Sequence, residues 1–156
     1  MKGNILDIPI ILIVLFVFAI VVLTSFTILD KFGTIAGDNI NQTYITQGEN
    51  ALRGFDAGFL LLVIGFFIGT IISAFFINSH PVFFIISFLG LIIMVTISTV
   101  FTNAFIEIAS TPGLVDTGNQ FPITVAVFQN WPILVTLLGG IILIVLFIKR
   151  GGGENV

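Results

Sequence analysis

Apolar residues in this chain are grouped into four long runs, which short polar stretches separate. The runs cover about residues 8–29, 57–77, 81–106 and 132–148. A helix rises 1.5 Å per residue, so roughly 20 apolar residues cross the ~30 Å hydrocarbon core of a bilayer. The pattern therefore predicts an all-α integral membrane protein with four transmembrane helices, formed as a single membrane domain over residues 1–156.

Charged and helix-starting residues mark the ends of these runs. Lys31 follows the end of the first run, and Asp56 directly precedes the second, where a carboxylate suits a helix N-cap. Pro81 opens the third run, since the fixed φ of proline favours the first helical turn. Only residues 78–80 separate the second run from the third, so we expect a tight hairpin between the second and third transmembrane helices.

Two polar connectors remain, at residues 33–55 and 109–130. In the first, apolar residues recur at roughly helical intervals, which predicts an amphipathic helix; a solvated loop is the alternative. The second opens with turn residues and continues as the apolar segment 121–128, which either lies in the membrane interface or begins the fourth helix. In the latter case Pro132 would kink one long helix, because proline lacks an N–H and crowds the preceding turn.

An even number of spans places both termini on one side of the membrane. Lys149 and Arg150 lie on that side directly at a membrane boundary, whereas Lys31 and Arg53 lie on the connector side. Basic residues close to a span count most in the positive-inside rule, so we expect both termini to be inside.

Small residues form a stripe on each of the second and third runs. Gly65 and Gly69 make a GxxxG pattern, which allows close approach of another helix. With the chain folded about residues 79 and 80, Gly69 lies level with Gly90, so we expect the stripes to pack within one chain; a homodimer contact is the alternative. The predicted packing residues are Gly65, Gly69 and Ser73 on the second run, and Ser87, Gly90 and Met94 on the third.

The composition leaves little room for chemistry. Hydrophobic residues make up 57% of the chain and charged residues 8%, against about 25% charged in soluble domains. Cysteine is absent, and no nucleophile–base set, metal cluster or phosphate-binding loop can be assembled, so we expect no catalytic residue, no cofactor and no metal. A net charge of -3 indicates no nucleic-acid surface.

Ionisable residues lie near the ends of the predicted spans. Their absence from the span centres argues against an ion-coupled transporter, because such proteins place charged groups there. Glu107, among apolar neighbours, is a candidate contact for Arg53, and a solvated helix end is the alternative. The candidate boundary and contact residues are Lys31, Arg53, Asp56, Glu107, Trp131, Lys149 and Arg150.

Four short segments carry a resemblance to a known group of proteins: Gly54-Phe55-Asp56, residues 72–84, Phe121-Pro122 and Asn130-Trp131-Pro132. They resemble small multi-pass membrane proteins of lipid-containing, tailless icosahedral viruses of the double-jelly-roll lineage. The resemblance implies a structural component of a virion's internal membrane, located beneath a protein capsid. It carries over no functional residue.

These observations lead to a structural interpretation. We expect a non-enzymatic protein that organises a membrane or links it to a protein shell, with the lipid bilayer, other membrane or capsid proteins and a second copy of itself as partners. A holin-like pore-former and an accessory subunit of a transport or secretion complex are the alternatives. The virion internal membrane is the expected location, and a cell membrane is the alternative.

Overall fold

The computed structural model describes residues 7–37, 41–76 and 81–151, and 92% of these residues are helical, with no strand among them. The chain is thus all-α. The helices are α1 (Asp7–Ala36), α2 (Gln42–Phe76), α3 (Pro81–Ala109), α4 (Val115–Gly118), α5 (Pro122–Gln129) and α6 (Trp131–Gly151). Within the described ranges, α1, α2, α3 and α6 are each long and apolar enough to cross a membrane. The predicted fold class is confirmed.

Both polar connectors are largely helical. Residues 42–55 form the start of α2, so Asp56 lies inside that helix, and its predicted role as the N-cap is wrong. Residues 122–129 form α5, which ends at Gln129, one residue before α6 begins. The two helices are thus separated at residue 130, close to Pro132, where a kink in one long helix was the predicted alternative. The turn of the predicted hairpin falls on residues 77–80, outside the described residues.

Helices α1 and α2 form an antiparallel pair with close backbone approach. A Cβ added at Gly48 would lie 2.7 Å from Leu29 Cδ2, and one added at Gly33 would lie 3.0 Å from Ile45 Cγ2. The two helices therefore approach closely at two levels of this interface, and a side chain at either glycine would shift its neighbour. At the end of α1, Gly37 adopts a φ of 52° and its carbonyl accepts a 2.7 Å bond from the Gln42 amide.

Helix α6 packs against both α2 and α3. The prediction that the small-residue stripes of the second and third runs pack against each other is wrong. A Cβ added at Gly65, Gly69 or Gly90 would meet no atom within 4 Å, so the two small-residue stripes do not face each other. The close contact lies at Gly139 of α6, where an added Cβ would overlap the Leu91 side chain of α3. Ser73 is exposed, Ser87 is half-buried, and Met94 packs at the edge of the hydrophobic core.

Candidate functional site

The most unusual polar contact in the bundle joins α2 to the start of α5. Asp56 is only 6% exposed, and its two carboxylate oxygens accept bonds from the backbone N–H groups of Ile123 (3.0 Å) and Thr124 (2.7 Å). These donors belong to the first turn of α5, where backbone N–H groups have no partner inside the helix. The Asp56 carboxylate therefore caps a helix that begins 66 residues later in the chain.

The local sequence explains why α5 needs a cap from elsewhere. Phe121 occupies the N-cap position and provides no side-chain bond, and Pro122 follows it in the first turn. The two remaining orphan donors both bond to Asp56, and the negative charge also faces the positive end of the helix dipole. Burial of a charged carboxylate is otherwise unfavourable, so this contact fixes α5 against α2.

The other end of α5 is held by α3. Pro132 has no N–H to donate to the carbonyl of Phe128, the residue four positions earlier. The Thr102 hydroxyl donates a buried 2.9 Å hydrogen bond to that carbonyl. A side chain from α2 and a side chain from α3 thus satisfy the backbone at opposite ends of α5.

Between these polar contacts, Phe128 is the centre of an aromatic cluster. Its ring stacks on Phe105 at a centroid distance of 4.4 Å and on Phe59 at 5.6 Å, and it meets Phe16 edge-on at 5.9 Å. These three rings come from α3, α2 and α1, so α5 inserts a side chain where three membrane helices converge. Trp131 packs against the same ring at 5.5 Å; it is 1% exposed, and its indole N–H has no hydrogen-bond partner in the described part of the chain.

The segment before α5 is tied to α1. The hydroxyls of Thr27 and Thr117 share a buried 2.8 Å hydrogen bond, which attaches α4 to α1. Gly113 turns the chain with a φ of 98°, and Lys31 Nζ lies 3.2 Å from where its Cβ would be. The connector from residue 109 to residue 130 is therefore docked on the bundle along its length.

The candidate boundary residues occupy different environments. Arg53 is exposed, and its guanidinium carbon lies 5.5 Å from the centre of the Phe26 ring, while Asp56 is buried against α5. Glu107 is exposed, and the structure gives it no contact with Arg53. Lys149 and Arg150 lie in the last turn of α6, and their side chains are outside the described set.

We define the connector face as the exposed charged residues at this end of the bundle: Asp30, Lys31, Arg53, Glu107 and Asp116. A cavity of about 10 Å³ lies below it between α1, α2 and α5, and Phe55, Phe59 and Thr124 are among the residues that line it. This volume is about that of one water-sized sphere. The arrangement provides a firmly docked surface and a tightly packed interior.

Comparison with known proteins adds no relative. No protein-family model, no curated protein and no solved structure matches this chain.

Sequence reasoning placed Asp56 and Trp131 among the candidate contacts but missed Thr102 and Thr27 as tethers. A usable signal for Asp56 was present in the sequence. A helix that starts at Phe121-Pro122 has no capping side chain of its own, so the N–H groups of its first turn need an acceptor from elsewhere, and a buried carboxylate is one candidate. The partners of the two threonines depend on tertiary packing.

Proposed function

We propose that this protein is a non-enzymatic structural membrane protein that organises a bilayer or joins it to a protein shell. The observation that carries this proposal is the capping of α5 by Asp56. A connector that had only to link two membrane helices would need no buried bonds to distant parts of the bundle. Here the bonds of Asp56, Thr102 and Thr27 hold that connector in one conformation.

A preformed connector face suits docking to another protein, because a rigid surface loses little conformational entropy on binding. The membrane-facing surfaces are different in character. Large apolar side chains are exposed on all four long helices, for example Val21, Leu61, Val100 and Ile144, at 54%, 70%, 61% and 60%. These surfaces suit lipid or another transmembrane helix. Specific recognition of a shell protein is therefore assigned to the connector face.

The proposed setting is the internal membrane of a virion, which rests on the sequence resemblance described above. In that setting the partners are lipid, capsid or other membrane proteins, and further copies of this chain. We place both termini inside, on the strength of Lys149 and Arg150 at the boundary of α6.

Site-specific photo-crosslinking tests the assignment of the connector face. A photoreactive residue at Glu107 or Asp116, in the full-length protein in its native membrane or particle, should capture a protein. The matched control is Thr136, which is exposed on α6 within the candidate span Trp131–Ile148 and should capture lipid. Capture of lipid alone at all three positions would contradict the proposal.

Dye retention tests the structural function against the pore-forming alternative. Liposomes containing the purified protein should retain a small self-quenched dye, because the interior is closed by the aromatic cluster around Phe128. A pore-forming peptide added at the end provides the positive control. Rapid, size-selective release by the protein itself would favour a holin.

A further inference from the structure

One face of α1 is apolar over most of its length and points away from the bundle. Exposed large apolar residues recur on this face at intervals of three, four or seven positions. The opposite face packs into the bundle, through Leu12, Leu23 and Phe26 among others. We call the exposed face the α1 stripe, and its members are Ile10, Val14, Val17, Val21, Ile28, Phe32 and Ile35.

The contacts between α1 and α2 set the level of the stripe at the connector end. A Cβ added at Gly33 would meet Ile45, and one added at Gly48 would meet Leu29, so residues 28–35 lie beside residues 42–50. This part of α2 is polar at its surface. Its exposed polar side chains are Gln42, Thr43, Thr46, Gln47 and Asn50.

The connector end of the α1 stripe therefore lies outside the hydrocarbon core of the bilayer. At this level Ile28, Phe32 and Ile35 are 63%, 52% and 83% exposed. Lipid tails do not reach a level at which the neighbouring helix presents polar side chains. A contiguous apolar surface outside the membrane marks a site of protein contact.

The spacing of the stripe suits another helix as its partner. From Ile10 to Ile35 the stripe extends over roughly three and a half heptads, with Ile or Val at most positions. β-Branched side chains have one strongly preferred rotamer in a helix, so they lose little freedom when a second helix packs on them. Thr24 fills the gap in the stripe, and its hydroxyl donates a 2.8 Å bond to the carbonyl of Ile20 in its own helix.

The continuity of the stripe indicates which helix this is. The partner helix has to be apolar within the membrane and has to remain apolar beyond it, at the level of Ile28 to Ile35. The α1 helix of a second copy, inserted in the same direction, has this profile by symmetry. Charge also permits the pairing, because the stripe contains no carboxylate and Lys31 Nζ lies beside Gly113, at the α4 side of α1.

We propose that two copies of this chain pair in parallel through their α1 stripes, on a two-fold axis along the membrane normal. Each of Val21, Ile28 and Ile35 then meets its own copy across the axis. The pairing deepens the proposed function, on which it rests for further copies of this chain as partners, by assigning those copies a surface. The connector face remains free for a protein of the shell.

Cysteine crosslinking tests the pairing directly, because the chain has no cysteine of its own. Full-length Ile28→Cys and Ile35→Cys are reconstituted separately into phosphatidylcholine vesicles and oxidised at increasing dilution with lipid. We expect covalent dimers that persist on dilution. Thr34→Cys is the control at the same level, since Thr34 is exposed about 100° around the helix from Ile35. Gly69→Cys on α2 is the control within the membrane, and dimers of both controls should fade on dilution.

Lysine substitutions test the same surface by charge. In Ile28→Lys with Ile35→Lys, like charges oppose each other across the axis, and we expect association to weaken at least about tenfold. Thr34→Lys with Asn50→Lys adds the same charge at exposed positions away from the stripe, and should associate as the wild type does. Subunit counting by single-molecule photobleaching measures the association, and circular dichroism checks that helicity is unchanged.

A photoreactive residue at Ile35, in the native membrane or particle, distinguishes the possible occupants. We expect capture of a second copy of this chain. Capture of a different protein or of lipid alone would overturn the pairing. Crosslinking at positions 28 and 35 that is no stronger than at positions 34 and 69 would overturn it as well, and so would equal effects of the two double-lysine variants.

These outcomes are separate from those that test the proposed function. A monomeric protein that still captures a shell protein at Glu107 or Asp116 contradicts only the α1 pairing. A dimer that captures only lipid at the connector face contradicts the proposed function and leaves the pairing intact.

Discussion

The Thr102 hydroxyl of α3 donates a 2.9 Å hydrogen bond to the carbonyl of Phe128, the acceptor that Pro132 leaves without its usual helical donor. The contact shows how a break between two consecutive helices can lie in a buried part of the bundle. Proline has no N–H, so one backbone carbonyl lacks its helical hydrogen bond. A hydroxyl on a neighbouring helix donates the bond instead. Both residues are buried, so water does not compete for the bond.

Removing this hydroxyl should destabilise the bundle. Thr102→Val keeps the shape of the side chain but leaves the Phe128 carbonyl without this donor, and we expect a loss of about 1 kcal/mol, within the range for hydrogen bonds in membrane proteins. Thr102→Ser should retain most of the stability. Unfolding in detergent can be followed by the fluorescence of Trp131, the single tryptophan of the chain.

Thr136→Val is the control, because the Thr136 hydroxyl bonds within its own helix at an exposed position. If Thr102→Val and Thr136→Val unfold alike, then Thr102 does not secure α5.

Replacing Asp56 should have a larger effect than replacing Thr102. Asp56→Ala leaves the N–H groups of Ile123 and Thr124 without their acceptor and removes a negative charge from the start of α5. We expect a loss of about 2–4 kcal/mol, from one lost cap and buried unsatisfied donors. Asp56→Asn should fall between wild type and Asp56→Ala, since the amide oxygen still accepts a hydrogen bond but carries no charge.

Hydrogen exchange localises the effect of the Asp56 substitutions. The amides of Ile123 and Thr124 should lose protection in Asp56→Ala and retain it in Asp116→Ala, where the replaced carboxylate is exposed on α4. Unchanged protection at both amides in Asp56→Ala would show that α5 is held by packing alone.

Two glycines in long helices should respond oppositely to substitution. Gly139→Leu forces a side chain into the space filled by Leu91, and overpacking of this kind costs about 1–3 kcal/mol. Gly69→Leu should leave the stability of the monomer unchanged or slightly raised, because its side chain enters open space and leucine favours helix more than glycine does. Thermal unfolding in detergent measures both.

Disulfide crosslinking checks the same geometry. Cysteines at positions 91 and 139 should crosslink within one chain, whereas cysteines at positions 69 and 90 should not. An efficient intramolecular crosslink between positions 69 and 90 would restore the packing that the glycine spacing first predicted.

The four long helices were predictable because membrane-length hydrophobicity is a local property of the chain. Packing between the helices was not. Gly65 and Gly69 have the spacing of a contact motif, but spacing does not say whether the stripe faces protein or lipid, and here α6 packs against α2 on another side. Gly139 has no such pattern, yet a Cβ at this position would overlap the Leu91 side chain.

The role of Asp56 in the candidate site could not be predicted from the sequence for the same reason. Asp56 stands directly before an apolar run, which is where a local N-cap would stand, and the local interpretation was wrong because α2 continues through the polar connector. The hydrogen bonds that decide its role come from residues 67 and 68 positions away. Contacts over such distances depend on how the helices are arranged, and no periodicity in the sequence records that arrangement.

The four-span topology makes a last prediction. With α1, α2, α3 and α6 each crossing the bilayer once, both ends of the chain lie on one side and the α1–α2 junction lies on the other. In inverted and right-side-out vesicles, membrane-impermeant maleimides should label cysteines at positions 4 and 152 in the same preparation. A cysteine at Asn41, which is exposed just before α2, should label in the opposite one.

Insertion into microsomes gives an independent measurement of the same topology. Asn41-Gln42-Thr43 forms an acceptor sequence for N-glycosylation, and Asn41 is exposed. With both termini on the cytoplasmic side, Asn41 faces the lumen, so a fraction of the chains should gain one glycan that Thr43→Ala abolishes and Thr43→Ser preserves. In the maleimide experiment, opposite labelling of the cysteines at positions 4 and 152 would mean that one of the four long helices does not cross the membrane.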